Sequence, residues 1–148
     1  MTKNNPTPAG ELSYYGLSLL SYLNDSHPFL ARDAAFISGR ADRAAEVYSE
    51  QIKAGRTHTE AEETAGAELY RGLHFSPYNT LVNILWDEFS DIIPEEHTRE
   101  AALKLLPLVE DVLAKYDLTD DFAESSHYDV LFTELTGTIQ ILLEDGRL

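Results

Sequence analysis

Three pairs of histidine and glutamate have a spacing that lets two metal ligands share one face of a helix. The pairs are His97 with Glu100, Glu124 with His127, and His58 with Glu62, three or four residues apart. Residues at these separations are neighbours on a helix surface, and imidazole and carboxylate groups bind divalent metals. A dinuclear site in a helical bundle needs Glu-x-x-His on two helices, and only Glu124 and His127 have that order. A metal- or ligand-binding helical bundle that uses His97, Glu100, Glu124 and His127 is therefore our alternative hypothesis.

Other reactive groups and cofactor motifs are scarce. The chain has no cysteine, which excludes disulfides, thiolate catalysis and cysteine-bound zinc. It contains neither G-x-G-x-x-G nor G-x-x-x-x-G-K, so nucleotide-binding loops are not expected. His74 and Ser76 are close in sequence, but we interpret Ser76 as a helix cap and His74 as a partly buried structural histidine. We assign no catalytic residue and no cofactor, and the sequence favours a protein that is not an enzyme.

The charge of the chain is strongly negative and unevenly distributed. Eleven Lys and Arg oppose 26 Asp and Glu, which gives a net charge of −15, and residues 75–148 alone carry 4 basic and 16 acidic side chains. Such a field repels nucleic acids and anionic membranes and attracts basic molecules. We therefore predict an acidic second half that docks a basic or DNA-binding protein. The candidate partner-binding residues are Asp87, Glu88, Asp91, Glu95, Glu96, Asp120 and Asp121.

The expected setting is the cytoplasm. The first residues lack the charged-then-apolar pattern of a signal peptide, and no run approaches the roughly 18 apolar residues of a membrane span. We expect a protein partner, with no direct binding to nucleic acid or membrane. A homodimer is also left open, because a wide apolar helix face can pack within one chain or between two.

A helix at residues 77–92 is predicted to be the centre of the fold. Ser76 suits the N-cap and Pro77 the first helical position, while Pro94 marks the far end. Apolar residues recur at three- and four-residue steps and predict one buried face. They are Tyr78, Leu81, Val82, Leu85, Phe89 and Ile92, with Ile84 and Trp86 widening the face.

Helices are also predicted before this central helix. A flexible leader at residues 1–10 precedes the first of them. Asp33 suits the cap of the second helix, and Gly55 suits its C-terminal end. Thr59 and Glu62 have the spacing of a capping box and predict the start of a third helix.

Further helices are predicted after the central helix. One begins at Pro94, and Pro107 predicts a kink near Leu106 because proline removes a helical hydrogen bond. The last begins at Ser126, where Asp129 completes a second capping-box pattern. Its residues 136–143 are apolar and β-branched enough to suit a strand, but a lone strand has no partner. The sequence therefore predicts an all-α bundle of about six helices, forming one domain over residues 11–148.

Three segments resemble a known family. They are SYYGLSLLSYLNDSHP at residues 13–28, GLHFSPYNTLVNILWDEF at residues 72–89 and DVLFTELTGTIQILLE at residues 129–144. The chain resembles a domain-of-unknown-function family of small, acidic, all-helical proteins from Gram-negative anaerobes, often encoded near mobile elements. The resemblance implies an all-α fold and a cytoplasmic setting. The family has no established activity, so the resemblance supplies no site residue.

Overall fold

The computed structural model describes residues 13–148, and each regular element in that range is helical. Its seven α-helices are α1 (Tyr14–Ser26), α2 (Ala34–Lys53), α3 (His58–Leu69), α4 (Pro77–Glu88), α5 (Thr98–Leu108), α6 (Glu110–Leu113) and α7 (His127–Glu144). Three 3-10 helices are also present, at Leu30–Arg32, Glu95–His97 and Phe122–Glu124. The predicted all-α fold is confirmed, and the predicted leader at residues 1–10 lies outside the described residues. None of the helices described is long and apolar enough to cross a membrane.

The chain divides into two compact units, and the first is Met1–Arg71. Within its described part, α2 packs against α1 and, more extensively, against α3. Four buried alanines on α2 and α3 let the two helix backbones approach closely, because a methyl group occupies little space. They are Ala41, Ala44, Ala61 and Ala65, and the larger buried side chains are Leu19, Leu23, Ile37, Val47 and Leu69.

The second unit is Gly72–Leu148. Its α4 packs against α5 and α7 and buries half of its residues, so α4 is the central helix of this unit. The core joins α4 and α5 to α7 through fully buried side chains, namely Leu81, Ile84, Leu85, Leu105, Val109, Leu131, Leu135 and Ile139. The predicted single domain over residues 11–148 stays a prediction.

Local chemistry at several helix ends is as predicted. The Ser76 hydroxyl accepts from the Asn79 amide at 2.9 Å, with Pro77 at the first helical position. The Asp33 carboxylate accepts from the Phe36 amide at 3.0 Å. Gly55 follows the end of α2 with φ of 88°, a conformation that glycine adopts without steric cost.

The capping box of α3 lies two residues before the predicted one. The Thr57 hydroxyl accepts from the Glu60 amide at 3.1 Å, and the Glu60 carboxylate accepts from the Thr57 amide at 2.9 Å. Thr57 and Thr59 both have a glutamate three residues later, so the motif alone does not choose between them. The prediction of Thr59 with Glu62 was wrong, and Glu62 instead accepts a hydrogen bond from Tyr15.

The central helix is shorter than predicted. It ends at Glu88, where the buried Phe89 is the C-cap, and the chain then turns as the amides of Ile92 and Ile93 donate to the Phe89 carbonyl. Ile92 lies beyond the end of α4 and is 59% exposed, while Trp86 lies within α4 but off its buried face and is 50% exposed. Their predicted places on the buried face were wrong.

Two other predictions in the second unit need correction. Pro107 is followed by a break at Val109 rather than a kink near Leu106, because α5 ends at Leu108 and α6 begins one residue after Val109. Ser126 forms no side-chain cap, since its backbone is already helical at φ −65° and ψ −20°. Residues 136–143 lie within α7, which confirms the choice of helix over strand.

Candidate functional site

Five carboxylates lie on the ten residues that run from the last turn of α4 to the short helix before α5. We call residues 87–96 the acidic segment, and its carboxylates belong to Asp87, Glu88, Asp91, Glu95 and Glu96. All five side chains are exposed, and none is held by a hydrogen bond or ion pair to a residue in the described range. Because no cation within residues 13–148 pairs with them, these charges remain available to an external one.

Two exposed apolar side chains accompany these charges, and each lines a cavity. Trp86 stands immediately before the acidic segment and lines a cavity of about 350 Å³. Ile92 stands within the segment and lines a cavity of about 270 Å³ whose other apolar walls include Leu143 and Leu148. Large exposed apolar residues beside a charged surface are typical of protein contact sites.

The cavity beside Trp86 is lined by residues of α4 and α5. We call it the Trp86 pocket, and its lining residues are Tyr78, Asn79, Val82, Asn83, Trp86 and Arg99. Tyr78 is only 2% exposed, and its hydroxyl has no hydrogen-bond partner among the described residues. The Arg99 guanidinium lies 5.3 Å from the centre of the Tyr78 ring. Burial raises the pKa of Tyr78, and the positive charge of Arg99 opposes that rise.

Sequence reasoning placed Tyr78 and Val82 on the core face and missed this pocket. The available signal was weak, because Asn79 and Asn83 are polar residues one helical turn apart beside Trp86. Arg99 carried no signal of its own, since its position over the Tyr78 ring depends on how α4 and α5 pack.

The two remaining candidate carboxylates have internal partners. Asp120 accepts from the Gly72 amide at 2.9 Å and from the His74 amide at 3.1 Å, so it fastens the connector before α7 to the loop that enters α4. Asp121 accepts from the Thr119 hydroxyl at 2.6 Å. His74 itself is exposed, so its predicted partial burial was wrong.

The predicted metal-ligand pairs are only partly brought together. Nδ1 of His97 and Oε1 of Glu100 are 3.8 Å apart on an exposed surface. His58 instead has its Nδ1 2.7 Å from the Tyr48 hydroxyl. Across residues 13–148 no group of three or more His, Asp and Glu side chains is arranged to hold a metal ion. The site at His97, Glu100, Glu124 and His127 therefore stays a prediction.

Two other polar contacts join distant parts of the same unit. In the first unit, the Tyr15 hydroxyl donates to Glu62 at 2.6 Å, and burial together with this bond raises the Tyr15 pKa far above its usual value. In the second unit, Glu134 accepts from Lys115 and from Tyr116, and these two bonds lower the Glu134 pKa. Both contacts hold together helices or connectors of one unit, and we assign them a structural role.

Comparisons with known proteins place this architecture in a recognised group. A family model described as "Domain of unknown function (DUF1896)" matches residues 7–148. The crystal structure of protein PG0816 from Porphyromonas gingivalis is similar, with a TM-score of 0.88 and 43% sequence identity over 95% of each chain. The search of curated proteins found no match. These findings confirm the resemblance to a domain-of-unknown-function family that was drawn from the three segments. The expected occurrence of the family in Gram-negative anaerobes and near mobile elements stays a prediction.

Proposed function

The chain belongs to the DUF1896 family, and from its surface we propose that it is a non-enzymatic interaction protein that docks a basic partner. The observation that carries this proposal combines two features. Five exposed carboxylates have no partner among the residues that the structure describes, and two exposed apolar side chains, Trp86 and Ile92, accompany them. We propose that residues 86–96 form the centre of the docking surface. Asp120 and Asp121 are left out of it because both already accept hydrogen bonds within the chain.

Each part of this surface has a different energetic role. An exposed ion pair contributes about 0–1 kcal/mol and weakens with salt, so five carboxylates mainly steer and orient a basic partner. Burial of a large apolar side chain contributes about 1.5–3 kcal/mol and is nearly insensitive to salt. Burial of Trp86 and Ile92 against the partner therefore supplies most of the affinity, while the carboxylates supply orientation.

The sign of the charge decides between possible partners. A net charge of −12 on residues 72–148 repels phosphate groups, which disfavours nucleic acids and anionic lipid surfaces. A second copy of the chain would bring two acidic segments together, which disfavours a dimer through this surface. A basic protein, including one whose basic face otherwise binds DNA, has the complementary charge.

Charge reversal at the docking surface tests the proposal. We expect Asp87→Lys with Asp91→Lys to abolish capture of basic proteins from native cell extract at low salt. Asp42→Lys with Glu63→Lys is the matched control, because both residues are exposed, bond no described residue and lie in the first unit. The two double variants have the same net charge, so a difference between them depends on location.

The captured proteins are identified by mass spectrometry after elution with rising salt. We expect wild type and control to release the same basic proteins between about 0.05 and 0.5 M salt, where screening shortens the range of these charges. Equal capture by both double variants would show that the charges near Trp86 are irrelevant and would contradict the proposed function.

A further inference from the structure

One exposed side of α7 is apolar and uncharged over about three turns. Val130, Thr133, Gly137 and Ile141 recur at steps of three or four residues, so they lie on the same side of the helix, and all four are exposed. We call these four residues the α7 face. Val130 and Ile141 are 57% and 58% exposed. Because the solvent side of a helix normally carries charged residues, this composition is typical of a contact with another protein.

Charge is absent from the α7 face although residues 72–148 carry a net charge of −12. Glu134 is the only charged residue between Asp129 and Glu144. It accepts hydrogen bonds from Lys115 and Tyr116, so its charge is compensated within the unit. Two molecules of the same acidic protein can therefore approach along the α7 face without bringing unpaired carboxylates together between its ends.

Gly137 is the middle residue of the α7 face and lies in the interior of an 18-residue helix. Glycine weakens a helix interior, because its unfolded backbone has more freedom to lose. A Cβ atom at Gly137 would meet nothing within 4 Å, so no contact within the described chain requires glycine here. Gly39 and Gly66 are equally open, but neither lies within two helical turns of an exposed large apolar residue. Only at Gly137 does such an opening coincide with an apolar face.

We propose that the α7 face is the contact of a symmetric dimer, in which it packs antiparallel against the α7 face of a second copy of the chain. Thr133 and Ile141 are each four residues from Gly137, in opposite directions. With Gly137 on the two-fold axis, Thr133 of one copy lies opposite Ile141 of the other, and the reverse pair forms at the same time. The antiparallel direction also brings the positive end of each helix dipole near the negative end of the other.

The ends of the contact fit the same arrangement. Val130 and Glu144 are each seven residues from Gly137, so they lie opposite each other. The Glu144 carboxylate accepts from the Gln140 amide at 3.0 Å, and it stays in water while its aliphatic part covers Val130. This contact is about 21 Å long and about 10 Å wide, so it buries less than the roughly 800 Å² per partner of a standard interface. We therefore expect a dissociation constant of about 1–100 µM.

Charge and symmetry favour a second copy over other occupants of the α7 face. A basic partner is attracted to the carboxylates of residues 87–96 and gains nothing from an uncharged face. Nucleic acids and anionic lipids are repelled by the net charge of the unit. The equal spacing of the face about Gly137 matches an isologous contact, in which both molecules use the same residues. The dimer goes beyond the docking of a basic partner and does not depend on it.

Sedimentation equilibrium of the full chain tests the dimer. We expect the mass of the wild type to rise from 16.6 kDa toward twice that value as its concentration rises from about 1 to about 500 µM. Ile141→Glu should raise the dissociation constant at least about tenfold, because the contact then buries two unpaired carboxylates. Leu17→Glu is the matched control, since Leu17 is 56% exposed, lies in the first unit and undergoes the same change of charge.

Introduced cysteines test the register, because the chain has none of its own. Thr133→Cys together with Ile141→Cys should give a disulfide-linked dimer under mild oxidation, since the two positions face each other across the axis. Within one chain they are about 12 Å apart along the helix, which is too far for an internal disulfide. Each single variant should stay monomeric on a non-reducing gel, because its counterpart in the other copy is also about 12 Å away.

Each outcome of these experiments has a definite meaning. A wild type that stays monomeric up to about 500 µM would overturn the dimer and leave the docking of a basic partner untouched. Equal weakening by Leu17→Glu and Ile141→Glu would show that the contact does not lie on α7. Cross-linking by Thr133→Cys alone, or none by the double cysteine variant, would overturn the antiparallel packing about Gly137.

Discussion

The hydroxyl of Tyr15 makes the stability of the protein fall as pH rises through the alkaline range. Burial, followed by the hydrogen bond to Glu62, raises the Tyr15 pKa in the folded state. In the unfolded chain tyrosine ionises near pH 10. Above that pH the unfolded state loses the proton first, so the stability present below pH 10 is lost as pH rises.

We expect Tyr15→Phe to reduce this alkaline loss of stability. Urea unfolding of wild type should give a lower free energy of unfolding at about pH 10.5 than at about pH 8, and the variant should show a smaller difference. A residual difference is expected from Tyr78 and Tyr116, whose pKa values are also raised. An equal difference in both proteins would show that the Tyr15 pKa is not raised in the folded state.

At the scale of single residues, the sequence predicts that a carboxylate is exposed but not which group it hydrogen-bonds. The carboxylates of residues 87–96 are exposed as expected from their surroundings in the sequence. Asp120 also stands in an acidic stretch of the sequence, yet it accepts hydrogen bonds from the amides of His74 and Gly72, 46 and 48 residues earlier. The pocket was missed for the same reason, because Arg99 meets Tyr78 only through tertiary packing.

At the scale of helices, two serines with the same expected role differ in backbone conformation. Ser76 is extended, at φ −121° and ψ 110°, so its hydroxyl reaches the Asn79 amide. Ser126 is already helical, at φ −65° and ψ −20°, and its side chain caps nothing. The sequence motif supplies a side-chain oxygen, but the backbone conformation of the serine determines whether that oxygen can reach the amide.

Replacement of each serine by alanine should show this difference. Ser76→Ala should lower the free energy of unfolding by about 1–2 kcal/mol, because a buried cap is lost. Ser126→Ala should change it by less than about 0.5 kcal/mol, as for ordinary surface substitutions. Both values come from denaturant unfolding followed by circular dichroism, and equal losses would refute the assignment of caps.

Helix existence was predictable along the described chain, whereas helix ends were not. Apolar periodicity identified the α-helices before and after α4, and it correctly favoured helix over strand in α7. At the end of α4 the amides of Ile92 and Ile93 donate to the carbonyl of the buried Phe89 and form a turn. Apolar spacing predicted the burial of Phe89, but it does not show where the helical hydrogen bonds stop.

At the scale of the whole molecule, the two compact units differ in charge. Residues 1–71 carry 7 basic and 10 acidic side chains, whereas residues 72–148 carry 4 and 16. This asymmetry was visible in the sequence and directed attention to the second unit. The sequence could not show which of the 16 carboxylates have internal partners. The structure shows partners for Asp120 and Asp121, which leaves five of the seven candidate partner-binding residues.

The link from Asp120 to the loop before α4 also bears on the order of folding. It joins residues 48 positions apart, whereas the turns of each helix join residues three or four apart. Closing so long a loop before the helices have packed costs chain entropy that two exposed hydrogen bonds do not recover. We therefore infer that this link forms late, after the rate-limiting step.

Stopped-flow kinetics of Asp120→Ala tests this order. The variant should unfold about five- to tenfold faster than wild type while its refolding rate stays the same, since a contact absent from the transition state affects unfolding alone. Slower refolding with unchanged unfolding would place the link in the folding nucleus instead. A link that forms late acts mainly on the lifetime of the native state, which shortens when the connector before α7 detaches from the loop that enters α4.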